Sequence, residues 1–231
     1  MKLLALDTSS EGCSAALLDE EGLSDRFETA PRGHTRLLMP MIRELLTERS
    51  LALSQLDAIA FACGPGSFTG LRIASGVVQG LAYGLDVPVV PVSSLAAVAA
   101  RAMELHRVAP GDAVAVAFDA RMGEVYWGCF RSCDGIPEAL GPEQVCAPDH
   151  LSLPDFGGHW IGAGSGWGLK DTMPAELVKI IPEADVALVP RAREVALLAL
   201  HEWAQGHRVS AASARPVYLR DEVTWKKLPG R

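Results

Sequence analysis

The sequence predicts an α/β protein of two duplicated subdomains, each of order β-β-β-α-β-α. Three observations carry this. Short apolar runs of strand length alternate with longer stretches whose apolar residues recur at helical spacing. A strand ending in aspartate, a turn, a second strand and a glycine hairpin are marked by Leu3, Asp7, Gly12 and Gly22. The same order returns ~110 residues later at Val114, Asp119, Gly123 and Gly135. Each half also carries a glycine-rich loop directly after a strand, Gly64 to Gly70 and Gly162 to Gly168.

Taken in order, Leu3 to Leu6 is a buried strand that ends at Asp7, and Cys13 to Leu18 is the second. Asp19 to Gly22 is a hairpin turn, and Leu23 to Thr29, poor in apolar residues, is a third strand near an edge. After a break at Pro31 to Thr35, a helix runs to about Arg49, with Leu37, Leu38, Met41, Ile42, Leu45 and Leu46 on a wide apolar face. That width suits a core on one side and a partner on the other. Leu51 to Gln55 connects to a fourth strand, Ala58 to Cys63, which leads through the first glycine loop into a helix, Ile73 to Leu85. Pro88 to Pro91 is a short strand, and Ser93 and Ser94 cap an alanine-rich helix, Leu95 to about Leu105. In the second half the strands are Ala113 to Phe118, Glu124 to Phe130 and a third from Ile136. Ala147 to Phe156 reads as loop and short helix, Trp160 to Gly162 as a strand, and Leu177 to Ile181 and Ala187 to Val189 as edge strands. Pro190 opens a helix over Arg191 to Ala204, which Gly206 ends. The tail from Ala211 reads as extended, with Lys226, Lys227 and Arg231 making it basic near its end.

The loop Gly64-Pro65-Gly66-Ser67-Phe68-Thr69-Gly70 admits two readings. Amides left free at a helix start favour an anion such as phosphate. Alternatively, the glycines serve a tight strand-to-helix turn. The spacing is neither the dinucleotide fingerprint nor a Walker A loop. In the helix that follows, Gly76, Gly80 and Gly84 recur every fourth residue and form one stripe. Each glycine costs about 1 kcal/mol relative to alanine. Close approach of another backbone, from this chain or a partner, would offset that. Ile73, Val77 and Leu81, with Ala74 and Val78, make the helix apolar nearly all round, which predicts burial on more than one side.

The chain has 231 residues and a net charge of −7, so it lacks the clustered cations with which a protein grips nucleic acid by itself. The N-terminal apolar stretch meets Asp7 too soon for a signal peptide, and no charge-free apolar run reaches ~18 residues. Five cysteines without a disulfide framework read as reduced thiols of a cytoplasmic protein; Cys129 and Cys133 lack the second pair a zinc site needs.

The two Asp-ended halves resemble the actin-like ATPase superfold, that of actin, Hsp70 and the sugar kinases. Within it the chain closely resembles the bacterial TsaB family, also called YeaZ. The match is carried by Leu4 to Ser9, by His34 with Leu37 to Met41, and by Gly64 to Ile73. It continues through Gln79 to Ala82, Val92 to Leu95, Asp119 to Gly128 and Tyr218 to Arg220, in family order over nearly the whole chain. The resemblance implies a non-catalytic subunit. Its partners would be TsaD, a related metal-containing subunit, and TsaE, an ATPase. Together they install a threonylcarbamoyl group on N6 of adenosine 37 in tRNAs reading ANN codons. The family pairs through a bundle of the first two helices, and the same surface makes a homodimer when TsaD is absent; tRNA is met only through the complex, and no membrane is involved. The interface residues so implied are His34, Leu37, Leu38, Met41, Ile42, Leu45, Leu71, Arg72, Ser75, Gly76, Gln79 and Gly80. Leu38→Asp, Leu45→Asp and Gly76→Leu are then expected to break partner binding without unfolding the chain. The expected subdomains are 1–106 with the returning helix 191–212, a smaller one at 107–190, and an extended tail at 213–231.

Whether the chain is itself an enzyme turns on few residues. His34 is followed four positions on by Leu38, so the paired histidines that hold the metal in TsaD are missing. Asp7 is followed by Thr8-Ser9-Ser10 rather than by a glycine that would let a phosphate approach. Asp7, Thr8, Ser9, Gly64, Gly66, Ser67 and Asp119 are therefore candidate contacts to a nucleotide that are either vestigial or complete only at the junction of the complex. No cofactor is expected for this chain alone, with ATP or ADP at the junction the nucleotide to consider. The alternatives are a self-contained ATP-binding, kinase-like enzyme of the same superfold, and a hydrolase with Ser67 as nucleophile. Against the hydrolase, Gly-Ser-Phe-Thr-Gly is not the nucleophile-elbow pattern.

Overall fold

In a computed structural model, residues 1–220 are described. The first half opens with β1 (Leu3–Asp7), β2 (Gly12–Asp19) and β3 (Gly22–Thr29), an antiparallel meander. Helix α1 (His34–Glu48), β4 (Ala58–Gly64), α2 (Phe68–Leu85), β5 (Val89–Ser93) and α3 (Ser94–Leu105) follow. The five strands lie in the order β3-β2-β1-β4-β5, with β4 parallel to both β1 and β5. The sparse apolar content of β3 matches its place at the edge.

The second half repeats this strand plan. Strands β6 (Ala113–Arg121), β7 (Glu124–Cys133) and β8 (Ile136–Ala139) form a meander, and β9 (Gln144–Cys146) adds to β7. Strand β10 (Trp160–Ala163) then pairs parallel to β6, and the short β11 (Ala184–Asp185) parallel to β10. The resulting order, β11-β10-β6-β7-β8, is the first sheet read from its other edge. The duplication therefore holds for strands but not for helices. Where the first half has α1, the polar, proline-containing segment after β9 forms only a 3-10 turn, Pro148–His150. Nor are Leu177 to Ile181 and Ala187 to Val189 strands. Ala175–Ile180 is helix α4, because Leu177 and Ile181 are four apart and both bury on one side of it; Ala187 to Val189 has no regular structure.

Both faces of the first sheet are covered. On one side Leu38, Met41, Ile42 and Leu45 of α1 and Ala74, Val78 and Ala82 of α2 pack on Leu4, Leu6, Ile59 and Phe61. On the other, Val195, Ala196, Leu198 and Ala199 of α5 (Ala192–Ala204) pack on Leu3, Ala5, Ala58 and Ala60. The small residues of α5 and of these strands let helix and sheet approach closely. Helix α3 joins the halves, since Leu95, Val98, Ala102 and Met103 pack on Val114, Val116, Phe118 and Phe130 of the second sheet. The chain after α5 does not run free. Val209 pairs with Val89 on the β5 edge, and Ala214 is buried in the first core. Of the tail, only residues to 220 are described; Lys226, Lys227 and Arg231 lie outside the described residues.

Candidate functional site

The glycine loop and the β1–β2 turn pack face to face. A Cβ on Gly66 would stand 2.4 Å from the Ser9 carbonyl oxygen, and one on Gly70 1.8 Å from that of Thr8. The Ser67 amide donates to the Ser9 carbonyl at 2.7 Å, and the Thr8 hydroxyl to the Gly70 carbonyl at 2.7 Å. Ser67 caps α2, its hydroxyl accepting from the Gly70 amide, and is solvent-exposed with no histidine among its bonding partners. Of the two readings of this loop, the geometry favours the tight turn: glycines are needed where backbone meets backbone. Gly64, at φ +124°, serves the same end, since a side chain there would meet the Val217 carbonyl. The second glycine loop repeats the device, with Gly164 and Gly166 against the Ala117 backbone at the end of β6.

Asp7 lies wholly inside this contact. Its Oδ1 accepts from the Ser9 amide at 3.0 Å and the Ser9 hydroxyl at 2.6 Å, and its Oδ2 is buried without a hydrogen-bond partner. Burial pushes its pKa up to about 7, against the Ser9 bonds that favour the carboxylate, and the charge of Glu194 raises it further. Glu194 of α5 is buried too, with an unpartnered Oε2 and a raised pKa caused by desolvation, although Arg101 and Arg193 lie beside it. Neither carboxylate, buried so, presents an open oxygen to a solvated ligand. Asp119 is different: it is part-exposed and closes its own turn, accepting from the Arg121 amide at 2.7 Å. Sequence reasoning missed Glu194, a charged residue within an apolar helix that gave no signal by itself.

Of the residues expected at the interface, some are buried in this chain and others are exposed. Leu38, Met41, Ile42 and Leu45 are core residues of this chain, as are Leu71 and Ser75 of α2. None is available to a partner, because the leucine face of α1 supplies the apolar area that the sheet requires. His34 is also buried, its Nε2 placed 3.0 Å from the Ser10 carbonyl. Leu37 is half-buried, and Gln79 spends its amide on the Ala214 carbonyl at 2.9 Å.

What α2 leaves open is its other side. Phe68, Arg72, Gly76, Gly80 and Gly84, each four residues after the last, are all exposed, and a Cβ on any of the three glycines would meet nothing within 4 Å. Tyr83 beside them is 84 % exposed and Phe68 55 %. The expectation that α2 is buried on several sides is therefore wrong for the isolated chain. Phe68 was legible as a member of this face by stepping the four-residue spacing back from Gly76, and Tyr83 by its place three residues after Gly80.

A cleft of about 730 Å³ opens where α5 and β5 face the β7–β8 hairpin, with Val92, Phe130 and Leu198 on its walls and Glu143 among its polar groups. The Glu143 carboxyl accepts from the Ser93 hydroxyl and is raised by burial. The Cys133 thiol donates to Glu138 at 2.9 Å, and its pKa is raised by that bond first of all. That makes it a poor nucleophile. Among the described residues no group of three metal-ligating side chains occurs, and no helix is long and apolar enough to cross a membrane.

Comparison with known proteins sets these surfaces in a family. A family model described as "TsaD: tRNA N6-adenosine threonylcarbamoyltransferase" matches residues 27–227. The tRNA threonylcarbamoyladenosine biosynthesis protein TsaB of Haemophilus influenzae is 42 % identical over 240 residues, covering 100 % of this chain and 98 % of that protein. The protein of the same name from Escherichia coli is 38 % identical, covering 100 % of both. The solved structure of YeaZ from Pseudomonas aeruginosa, at 47 % identity, superposes with a TM-score of 0.88 over 94 % of this chain and 99 % of that one. Full-length identity at this level, with a shared fold, means that the chain belongs to the TsaB (YeaZ) family.

Proposed function

We propose that this chain acts in threonylcarbamoyladenosine biosynthesis on tRNA as a non-catalytic subunit that docks a TsaD-type partner through the open side of α2. The observation that carries the reading is the bare glycine stripe. Gly76, Gly80 and Gly84 together forfeit about 3 kcal/mol of helix propensity, and among the described residues nothing packs against them. A helix laid along the stripe could approach backbone to backbone, and exposed Tyr83 and Phe68 at its flanks supply the aromatic anchors typical of protein interfaces. The docking residues are then Phe68, Arg72, Gly76, Gly80, Tyr83 and Gly84, replacing the buried Leu38, Ile42 and Leu45. In the partner's absence the same face would pair two copies of this chain.

The non-catalytic part of the reading draws support from the glycine loop. Its glycines are closed against the Thr8 and Ser9 backbone, and Asp7 is buried within that contact. The repeated strand order, each half opening on a strand that carries Asp7 or Asp119, accords with the actin-like superfold. We read 1–106 with α5 as one subdomain and 107–190 as the other. TsaE and tRNA would join through the complex rather than through this acidic chain.

The test is tRNA threonylcarbamoylation with TsaD, TsaE and a threonylcarbamoyl-adenylate supply, with and without this chain, alongside size-exclusion chromatography with TsaD. Expected are activity that depends on the chain, silence from the chain alone, and co-elution lost in Gly80→Leu, whose side chain would fill the stripe while its circular dichroism stays native. Full activity without the chain, or normal co-elution of Gly80→Leu, would sink the proposal.

A further inference from the structure

The segment that follows Ala214 crosses from one half of the molecule to the other in seven residues. It begins on the first half, where Gln79 of α2 donates to the Ala214 carbonyl at 2.9 Å. The Val217 amide then donates to the Cys63 carbonyl at the end of β4 at 2.8 Å, and the Val217 carbonyl lies against Gly64. The Tyr218 ring meets Phe68 with centroids 5.6 Å apart, and its hydroxyl accepts from Arg72 Nε at 3.3 Å, while the Arg72 guanidinium lies 3.9 Å from the Phe68 ring centre. Two residues later the segment is on the second half. There Arg220 donates to the Ala120 carbonyl at 3.2 Å and pairs with Glu124, its guanidinium also 3.8 Å from the Met122 sulfur.

The groups that receive Arg220 form the turn between β6 and β7. Arg121, Met122 and Gly123 all have positive φ there, a conformation that two of the three residue types resist. Elsewhere the halves are joined by the apolar contact of α3 with the second sheet, by the Ser93–Glu143 hydrogen bond and by His106 beside Asp185 at 3.3 Å. The α3 contact is a patch of side chains at which small rotations are cheap. A further polar, directional tie at the Gly64–Phe68 loop, on the β6–β7 turn that those contacts do not touch, would restrain that turn.

We propose that residues 214–220 are a latch that holds the β6–β7 turn of the second half to the glycine loop of the first, with Arg220 closing on Glu124 and the Ala120 carbonyl, and Tyr218 on Phe68 and Arg72 as its anchor. Closed, it sets the angle between the halves; released, it frees the turn to swing on the α3 contact. The latch is made wholly within one chain, and its test reads no partner, although its anchor residues Phe68 and Arg72 also stand on the proposed docking face.

Hydrogen exchange on the full chain tests it, read at the Val217 amide and at the Arg121 amide, which donates to Asp119 in the latched turn. Arg220→Ala and Glu124→Gln should each speed exchange at Arg121 by about 10-fold or more, because local opening no longer has to break the latch. The deciding variant is Tyr218→Ala, which cuts the anchor on the first half and touches nothing on the turn. It should also speed Arg121 exchange, at least ~3-fold, through the intervening residues. If Tyr218→Ala frees Val217 but leaves Arg121 at the wild-type rate, the segment is two separate attachments and not a latch. If Arg220→Ala leaves both amides unchanged, the contact bears no load and the proposal fails. Circular dichroism melts of each variant keep a loss of fold apart from a loss of the latch.

Discussion

Asp7→Asn is the perturbation whose effect the structure sizes most directly. The carboxyl is fully buried, has one oxygen without a partner, and titrates near 7 against an ordinary value of 3.8. A group whose folded pKa is raised favours the folded state when protonated. Its contribution is therefore whole below pH 3.8 and is lost as pH climbs to about 7, above which the loss is constant. The gap corresponds to about 4 kcal/mol, at about 1.4 kcal/mol per pH unit. Between pH 5 and pH 8 the Asp7 share of the fall in wild-type stability is about 3 kcal/mol. Asparagine cannot ionise, so its variant should lack that share. Its amide still leaves one polar atom unpaired at about 1–3 kcal/mol, so the gain at pH 8 is smaller than the gap. Glu143, also raised by burial, loses stability in both proteins and cancels in the difference between wild type and variant, whereas Glu194, whose charge acts on Asp7, keeps a share in it. The assay is urea unfolding at pH 5, 6, 7 and 8. Parallel stability curves for wild type and Asp7→Asn would refute the argument, and would mean that Asp7 reaches solvent or a cation.

Other outcomes follow from the same packing. Gly70→Ala drives a Cβ into the Thr8 carbonyl and should lower stability by about 3 kcal/mol or more in thermal melts, whereas Gly76→Ala, which meets nothing, should raise it by about 1 kcal/mol. Equal effects would show that the loop and the stripe are alike in freedom. Leu45→Asp buries a charge in the chain's own core and should abolish the native circular dichroism outright, so any loss of partner binding in it is secondary; a folded Leu45→Asp that fails to bind would restore α1 as the docking face. Arg49 ties the end of α1 to the β2–β3 hairpin, pairing with Asp19 at 3.1 Å where both side chains are largely buried, and donating to Ser24. Arg49→Ala should cost about 1–3 kcal/mol in urea unfolding, and a loss below ~0.3 kcal/mol would assign the pair to the weak surface class.

Strands were legible in the sequence because burial on both faces leaves a nearly continuous apolar run, as in Leu3 to Leu6 and Ala113 to Phe118. The strand repeat was legible for the same reason, each half starting again with such a run ending in aspartate. The second half's helices were not. Leu177, Val178 and Ile181 fit a short strand and one turn of helix equally, and in so short a segment only the tertiary contact with the Trp127 and Trp167 cluster decides. Where the tail attaches was not legible in the sequence. Its order comes from single bonds to distant partners, such as Gln79 to Ala214 and Arg220 to Glu124, which leave no local pattern.

The open side of α2 shows why periodicity alone cannot say which side of a helix faces out. Helix α1 offers a leucine stripe, and α2 offers both an aliphatic stripe and a glycine stripe. Burying a leucine or valine side chain against the sheet gains about 1.5–3 kcal/mol, while burying a glycine gains almost nothing. The sheet therefore claims Leu38, Ile42, Leu45, Leu71 and Val78, and the glycine stripe is left outward because it competes worst for the core. In such a sequence the richest apolar pattern marks the core, and the glycine stripe, which the core does not claim, is where the proposed docking would have to supply the compensation.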